Sequence, residues 1–408
     1  MKRYIDLFMT FTLILLIVSF AEADELSVLK EELRKIKSEN EILRERLSKG
    51  EDTIDSLVKR IEAIENKKEE TTPVPPVIEE PRLSIRGFSD ISFSVDDIKG
   101  ENRGDSSFAL GQFDLFITSK ISDNVNLLAE IVLEADSDNE IEVDMERLQL
   151  RYSLSDLLNV TAGRIHTALG YWITTFHHGT WLQTTAFRPE VYKFEDEEGI
   201  LPTHSVGLEL SGRKDIDVFD IKYAFGVSNG RGRTIEEIQM IRDRNNSKAV
   251  NFLLTLSPTS IEGLNFGASA YMDTIPSDEG SSARAKEIDE LIMGGYVAYI
   301  YNRIELLGEF FDIGHEDETS ATDFDTTGFY IQGAYKIDKF KPYFRFDYID
   351  FGEGDPFFTS LEEDIRKDTL GIRWDYTTFS AIKLEYSWTD RDIQDDINSL
   401  VLDVSFIF

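Results

Sequence analysis

Two periodicities divide this chain. Between residues 25 and 66 aliphatic side chains recur every seven residues, whereas from Leu83 to Phe408 they alternate in steps of two. In the first stretch Leu26, Leu33, Asn40, Leu47, Ile54 and Ile61 form one line of a seam; Leu29, Ile36, Leu43, Gly50, Leu57 and Ile64 form the other. Ten of those twelve positions are aliphatic, with flanks rich in Glu, Lys and Arg, the pattern of an α-helical coiled coil. A buried Asn40 would fix register and chain number at a cost in stability, and Gly50 marks a weak point between two helical halves. A lone amphipathic helix is the alternative. Nothing else in the chain obviously covers the seam, so Leu26, Leu29, Leu33, Ile36, Asn40, Leu43 and Leu47 are read as oligomerisation residues.

The second pattern is that of strands with one apolar face. In LSIRGFSDISFSV, Leu83, Ile85, Ile91, Phe93 and Val95 oppose Arg86, Asp90 and Ser92. In MERLQLRYSL, Leu148, Leu150 and Tyr152 oppose Arg147, Gln149 and Arg151. The closing LVLDVSFIF puts Leu400, Leu402, Val404, Phe406 and Phe408 on one face and Asp403 and Ser405 on the other. Sixteen such segments follow one another, and their connections alternate in length. Short turns fall near 122–124, 155–156, 301–302 and 338–339; long polar connections fall near 96–105, 135–141, 169–202, 229–247, 275–288, 314–325, 351–366 and 391–397. An even strand number with short turns at one end and long loops at the other predicts an all-β transmembrane barrel of about 16 antiparallel strands over residues 82–408. A soluble sandwich would have strands of about five or six residues and a second sheet for each apolar face. Tyr348, Trp374, Tyr376 and Trp388, at strand ends, suit interfacial girdles.

Two further segments complete the organisation. Residues 1–23 begin with Lys2 and Arg3, continue through FTLILLIVSF and end in Ala21-Glu22-Ala23, which predicts a signal peptide cleaved after Ala23. KKEETTPVPPVIEEP, residues 67–81, is a proline-rich spacer between the coiled coil of 24–66 and the barrel. The formal charge of −34, from 43 Lys and Arg against 77 Asp and Glu, argues against a nucleic-acid partner. With no cysteine, neither disulfides nor cysteine chemistry is possible.

The barrel pattern resembles that of Gram-negative outer-membrane porins, and the terminal Phe408 resembles the signal read by their barrel-assembly machinery. GRIHTALGY, Gly163 to Tyr171, is similar to the glycine- and threonine-containing stretch of the phosphate-selective porin superfamily, with Ala168 where that family usually carries proline. The heptads resemble the periplasmic coiled coils of some porins. The resemblance implies an outer-membrane protein, a homotrimer and an inward-folded third loop.

The third long loop mixes Tyr171, Trp172, Trp181 and Phe187 with His177, His178 and the run Glu195, Asp196, Glu197 and Glu198. So apolar a loop is predicted to fold into the lumen and narrow it. Arg147, Arg151 and Arg164 on the wall, facing its carboxylates, would set up a transverse field. The acidic run also fits a solvated loop edge. Among the inward positions twelve acids against seven bases favour cations weakly, too few positives for a phosphate ladder. The histidines match no metal-ligand spacing and stand beside no nucleophile motif, so no metal, cofactor or catalytic residue is expected. The reading is a water-filled channel in outer-membrane lipid for small hydrophilic solutes or ions. The alternative is a structural barrel tethering the outer membrane to peptidoglycan through its coiled coil.

Overall fold

A computed structural model describes Lys59 and residues 82–98, 105–135, 140–176, 179–193, 199–235, 237, 241–278, 286–317, 322–358, 364–393 and 395–408. The candidate signal peptide, the heptad residues from Leu26 to Leu47, and the proline-rich spacer lie outside the described residues, as do His177, His178 and Glu195 to Glu198.

Sixteen strands form a single closed barrel. They are β1 (Arg82–Ile98), β2 (Asp105–Lys120), β3 (Val125–Ala135), β4 (Ile141–Ser155), β5 (Leu158–His166), β6 (His204–Asp215), β7 (Phe219–Ser228) and β8 (Ala249–Pro258). The series continues with β9 (Leu264–Ile275), β10 (Ile288–Tyr301), β11 (Ile304–Asp317), β12 (Thr322–Tyr335), β13 (Phe340–Asp350), β14 (Ile365–Trp374), β15 (Ser380–Arg391) and β16 (Ile397–Ile407). Each strand pairs antiparallel with its sequence neighbours, and β1 pairs with β16 from Phe88↔Ile407 to Ile98↔Ile397, so no edge is left open. The two-residue turn at 302–303 uses Asn302 at φ 56°, and the turn at 336–339 uses Asp338 at φ 53°, residue types that tolerate left-handed backbone.

Alternation sorts the faces. Leu83, Ile85, Leu148, Leu150, Leu291, Met293, Ile331 and Leu370 point outward and are exposed, while Thr161, Gln332, Thr369 and Glu385 point inward and are buried. On β16, Leu400, Leu402 and Val404 are exposed and Val401, Asp403 and Ser405 are buried, so the terminal apolar face looks away from the barrel interior. Aromatic pairs mark both rims: Phe340 stacks on Trp374 near the short turns, and Tyr386 meets Trp388 near the long loops.

The inner face departs from a uniformly wet wall. On β10 the inner face is largely apolar too, with Ile288, Ile292 and Tyr296 pointing inward beside the buried Glu290. They join Leu307, Phe311 and Ile313 of β11, Tyr330 of β12 and Ile349 of β13 in a buried core. Its other half comes from the β5–β6 connection, through Trp172, Ile173, Val191, Tyr192, Ile200 and Leu201. This apolar core therefore lies inside the barrel, between wall and loop.

Three irregularities break the register: one, between Ser153 and Ser155, lies beside the turn into β5, and the other two set inward residues. Ser89 pairs with Phe113 and Ile91 with Leu110, so Gly111 and Gln112 together oppose Asp90. On β4, Glu130 pairs with Arg147 and Ile131 with Met145, leaving Glu146 as the extra residue. Strict parity with outward Leu148 would send Glu146 outward; the bulge turns it into the buried interior instead.

Candidate functional site

Residues 167–203 connect β5 to β6 and form the third long loop, called loop 3 here. The GRIHTALGY stretch spans the end of β5 and the entry to this loop. Gly170 there adopts φ +71°, where a Cβ would also collide with the Tyr192 hydroxyl and the Glu309 carboxylate. One helical turn follows, α1 (Trp172–Thr175), and a single 3-10 turn spans Glu190–Tyr192.

A line of inward side chains on β11–β15 holds the loop. Glu309 accepts from Tyr171 N at 2.5 Å, Trp172 N at 2.8 Å, the Tyr192 hydroxyl at 2.7 Å and the Tyr330 hydroxyl at 2.6 Å. Further along, Glu305 accepts from the Thr184 hydroxyl at 2.8 Å and Glu385 from Ala186 N at 2.8 Å. Arg345 donates to the carbonyls of Phe187 and Arg188 at 2.8 and 3.0 Å, and Arg373 to those of Trp181 and Gln183 at 2.7 and 2.6 Å. Lys383 reaches the carbonyls of Thr180 and Thr185. A loop that brings its own carbonyls and N–H groups to buried charges exchanges water for fixed partners, which keeps it inside.

The wall cations are also matched by carboxylates. Lys341 lies 3.0 Å from Glu305, Arg345 2.7 Å from Asp347, Lys367 2.7 Å from Glu190, Arg373 2.8 Å from Asp375 and Lys383 3.3 Å from Asp403. Glu190, on the loop, is buried, which by itself would raise its pKa; the attraction of Lys367 and Lys193 outweighs this and holds the carboxyl well below the usual glutamate range. Burial and the neighbouring Glu309 carboxylate push the Tyr192 phenol up, so it stays a hydrogen-bond donor.

The far side of loop 3 borders a gap of about 190 Å³. Asp90, Gln112, Glu134 and Asp403 line it from the wall, and Thr180, Phe187 and Arg188 line it from the loop. Asp90 Oδ1 accepts from Gln112 N and from the Thr180 hydroxyl, each at 3.2 Å, so one carboxylate touches both banks. Glu134 accepts from the Gln112 side chain at 2.9 Å.

The expected wall arginines are distributed differently. Arg147 is paired with Glu130, and Arg164 is buried, donating to the Glu146 carbonyl at 3.1 Å. Arg151 is exposed on β4 and donates to the Thr161 hydroxyl at 3.3 Å. None of the three lines the gap beside Thr180. At the root of loop 3, His166 pairs in register with His204, and His204 Nε2 lies 2.6 Å from Glu146 Oε2. Among the described residues no group of three His, Asp or Glu side chains is arranged to hold a metal ion. Lys341 and Lys367 were not singled out from sequence, although each shares strand parity with an inward arginine, Arg345 and Arg373. Glu146 carried no such signal, because a bulge leaves none.

No protein-family model matches the sequence, and no curated protein does. Solved structures do. An anion-selective porin from Comamonas acidovorans superposes with a TM-score of 0.59 at 10% identity, covering 81% of this chain and 100% of its own. The outer membrane channel DcaP of Acinetobacter baumannii gives 0.56 at 9% identity, covering 83% and 100%. OmpT, an outer membrane protein of Vibrio cholerae in a trimer form, gives 0.55 at 10% identity, covering 81% and 100%. This is the porin fold. At such low identity the likeness speaks for architecture, and the porin-like barrel accounts for nearly all the described residues.

Proposed function

We propose that the chain is an outer-membrane porin, a water-filled channel through which small hydrophilic solutes or ions diffuse passively, narrowed by loop 3. The observation that carries this reading is the division of the interior. Loop 3 and β10–β13 share a buried apolar core, whereas Arg86 of β1, Arg151 of β4 and Lys222 of β7 remain exposed on other strands. A plugged barrel has no use for exposed charge on its inner face, and a channel does. The porin fold supports the same reading, as does the exposed apolar exterior. Single-channel recording of refolded protein in planar bilayers tests it. Discrete conductance steps are expected, and silence from a barrel verified as folded would overturn it.

In this reading the barrel is inserted by the assembly machinery with Phe408 as part of its signal. Residues 24–66 form a periplasmic coiled coil, and the working unit is a homotrimer. The trimer form of a structural neighbour is consistent with that number of chains. No cofactor or enzymatic activity belongs to it. A second reading, a barrel that tethers the outer membrane to peptidoglycan, rests on the heptads from Leu26 to Leu47. Cross-linking the full chain and a variant lacking 24–66, with and without peptidoglycan, separates stalk from tether. Loss of the trimer alone favours the stalk, and loss of peptidoglycan capture favours the tether.

A further inference from the structure

We infer that His315, by carrying protons on both ring nitrogens, latches the β13–β14 connection over the apolar core at the long-loop end of the barrel. Loss of the second proton lets that connection lift and widens the mouth. The effect on conduction rests on the channel reading above; the latch itself does not.

Carboxylates flank the ring on both sides. Nδ1 of His315 lies 2.7 Å from Asp355 Oδ2, and Nε2 lies 3.1 Å from Glu290 Oε1. A neutral imidazole has one N–H and one lone pair, so its bare nitrogen would face one of these oxygens with nothing to donate. Only the imidazolium serves both. All three side chains are buried, so no bulk water stands ready to replace a lost donor.

The network joins three long connections. Asp355 lies in the β13–β14 connection, where its Oδ1 accepts from Phe357 N at 2.9 Å and Phe358 N at 3.4 Å. The carboxylate shapes that turn, and His315 ties it to β11. Phe357 and Phe358 belong to the same buried core as Trp172, Tyr192 and Ile200, with the His315 ring 5.6 and 5.0 Å from theirs. On the other side, Arg231 of the β7–β8 connection donates to Glu290 Oε2 at 3.0 Å and to the Ile200 carbonyl of loop 3 at 2.5 Å.

The charges around the ring make its proton decisive. Glu290 faces it from β10 and Asp355 from the β13–β14 connection. Beyond Glu290 stands Arg231, whose N–H donates to Asp273 of β9 at 2.7 Å, and the Tyr271 hydroxyl reaches the same carboxylate at 3.2 Å. Asp317, two residues along β11, is buried too. With the imidazolium, two cations stand among these carboxylates; without it Arg231 stands alone, and buried negative charge is left uncompensated. Glu290 is fixed in a paired strand, whereas Asp355 sits on a connection, so relief comes from moving Asp355 and the two phenylalanines after it. A latch closed by a bound proton holds at lower pH and opens as the pH rises through the titration of the ring.

Refolded full-length protein with ¹⁵N-labelled histidine tests the protonation directly, with His315→Gln identifying the ring by the signal it removes. Both nitrogens are expected to be protonated at about pH 6, and the second proton to leave as the pH is raised towards about 10. Chymotryptic cleavage at Phe357 and Phe358 should rise severalfold along the same curve. The reference at each pH is Asp355→Asn, whose carboxamide oxygen can still accept from Phe357 N while its N–H donates to a bare Nδ1. That variant should stay seated across the whole range. In planar bilayers the native conductance should rise with the ring's titration, and that of Asp355→Asn should not. A ring with one protonated nitrogen at about pH 6, or native cleavage that keeps a constant ratio to Asp355→Asn, overturns the latch. Conductance that ignores the titration while cleavage follows it overturns the widening. Silence from a folded barrel overturns the channel reading, while nitrogen signals and cleavage still decide the latch.

Discussion

The backbone N–H of Trp172 donates to Glu309 Oε1 at 2.8 Å, tying the first turn of loop 3 to the inner wall of β11. That carboxylate also receives Tyr171 N and two tyrosine hydroxyls, so four donors converge on two oxygens. A glutamine in its place has one acceptor oxygen and two N–H donors, and would face donors with a donor. Glu309→Gln is therefore expected to unseat loop 3 at a cost of about 3 kcal/mol while the barrel still closes. Limited proteolysis within loop 3 should rise and single-channel conductance should increase. An unchanged cleavage rate would show that the apolar core alone seats the loop.

Arg345 is a second anchor of a different kind. It is fully buried, pairs with Asp347 at 2.7 Å and donates to Thr185 and two loop carbonyls. Removing it leaves the Asp347 charge buried without its guanidinium. Arg345→Met should cost about 3–5 kcal/mol, and adding Asp347→Asn should recover part of that. The denaturant midpoint of the refolded barrel is the measurement. Arg345→Lys should not restore the native midpoint, because an ammonium cannot reproduce the guanidinium fork.

Acid should release the Glu190 anchor only at low pH. Glu190 is held below the ordinary glutamate value of 4.5, so its folded-state pKa is depressed. A depressed carboxylate contributes stability that is present above its unfolded pKa and is lost as the pH falls through the folded value. The part of the loop's stability that comes from Glu190, read as the difference in denaturant midpoint between the native protein and Glu190→Gln, should therefore hold as the pH drops to 4.5 and be lost only well below it. Lys367→Met removes the nearer ammonium, 2.7 Å away, and should move that loss to higher pH. An unshifted transition would place the acid sensitivity in other carboxylates.

The chain end is part of barrel closure. Phe408 N donates to the Gly87 carbonyl at 3.0 Å, Gly87 N donates back at 2.9 Å, and the Phe408 ring stacks on Phe113 at 5.3 Å. Deleting Phe408 removes this last rung between β1 and the C-terminus. Refolding yield, read as the heat-modifiable band on a gel, should fall severalfold. An unaltered yield in vitro with loss of the protein in cells would assign Phe408 to recognition by the assembly machinery alone.

Much of this was legible before any coordinates. Strand number, turn alternation and the outward faces of β1, β4 and β16 follow from a period of two, because lipid tolerates only apolar side chains and every backbone group needs a partner. The inward positions of Glu305, Glu309, Arg345, Asp347, Arg373, Lys383 and Glu385 were readable by the same parity. What they touch was not. Arg345 looks from sequence like a lumen charge, yet it is closed over by Phe187 and Arg188. Glu146 owes its setting to a bulge, where an added residue shifts the parity and no residue type announces it, and a bulge on β2 brings the Gln112 N–H onto Asp90, whose inward face the sequence did show.

The sequence by itself determined that the chain closes into a sixteen-stranded barrel, because alternation is local and each strand reports its own two faces. Only the tertiary structure decided that loop 3 fills part of the interior. Ile288, Ile292 and Tyr296 meet Trp172 and Tyr192 across more than ninety residues of chain, a pairing fixed by which wall loop 3 lies against. It also decided which charges face the gap, since a charge's effect depends on the distance to its partner. Lys383 stands 3.3 Å from Asp403, and Asp90 accepts from a backbone N–H of β2 and a hydroxyl of loop 3.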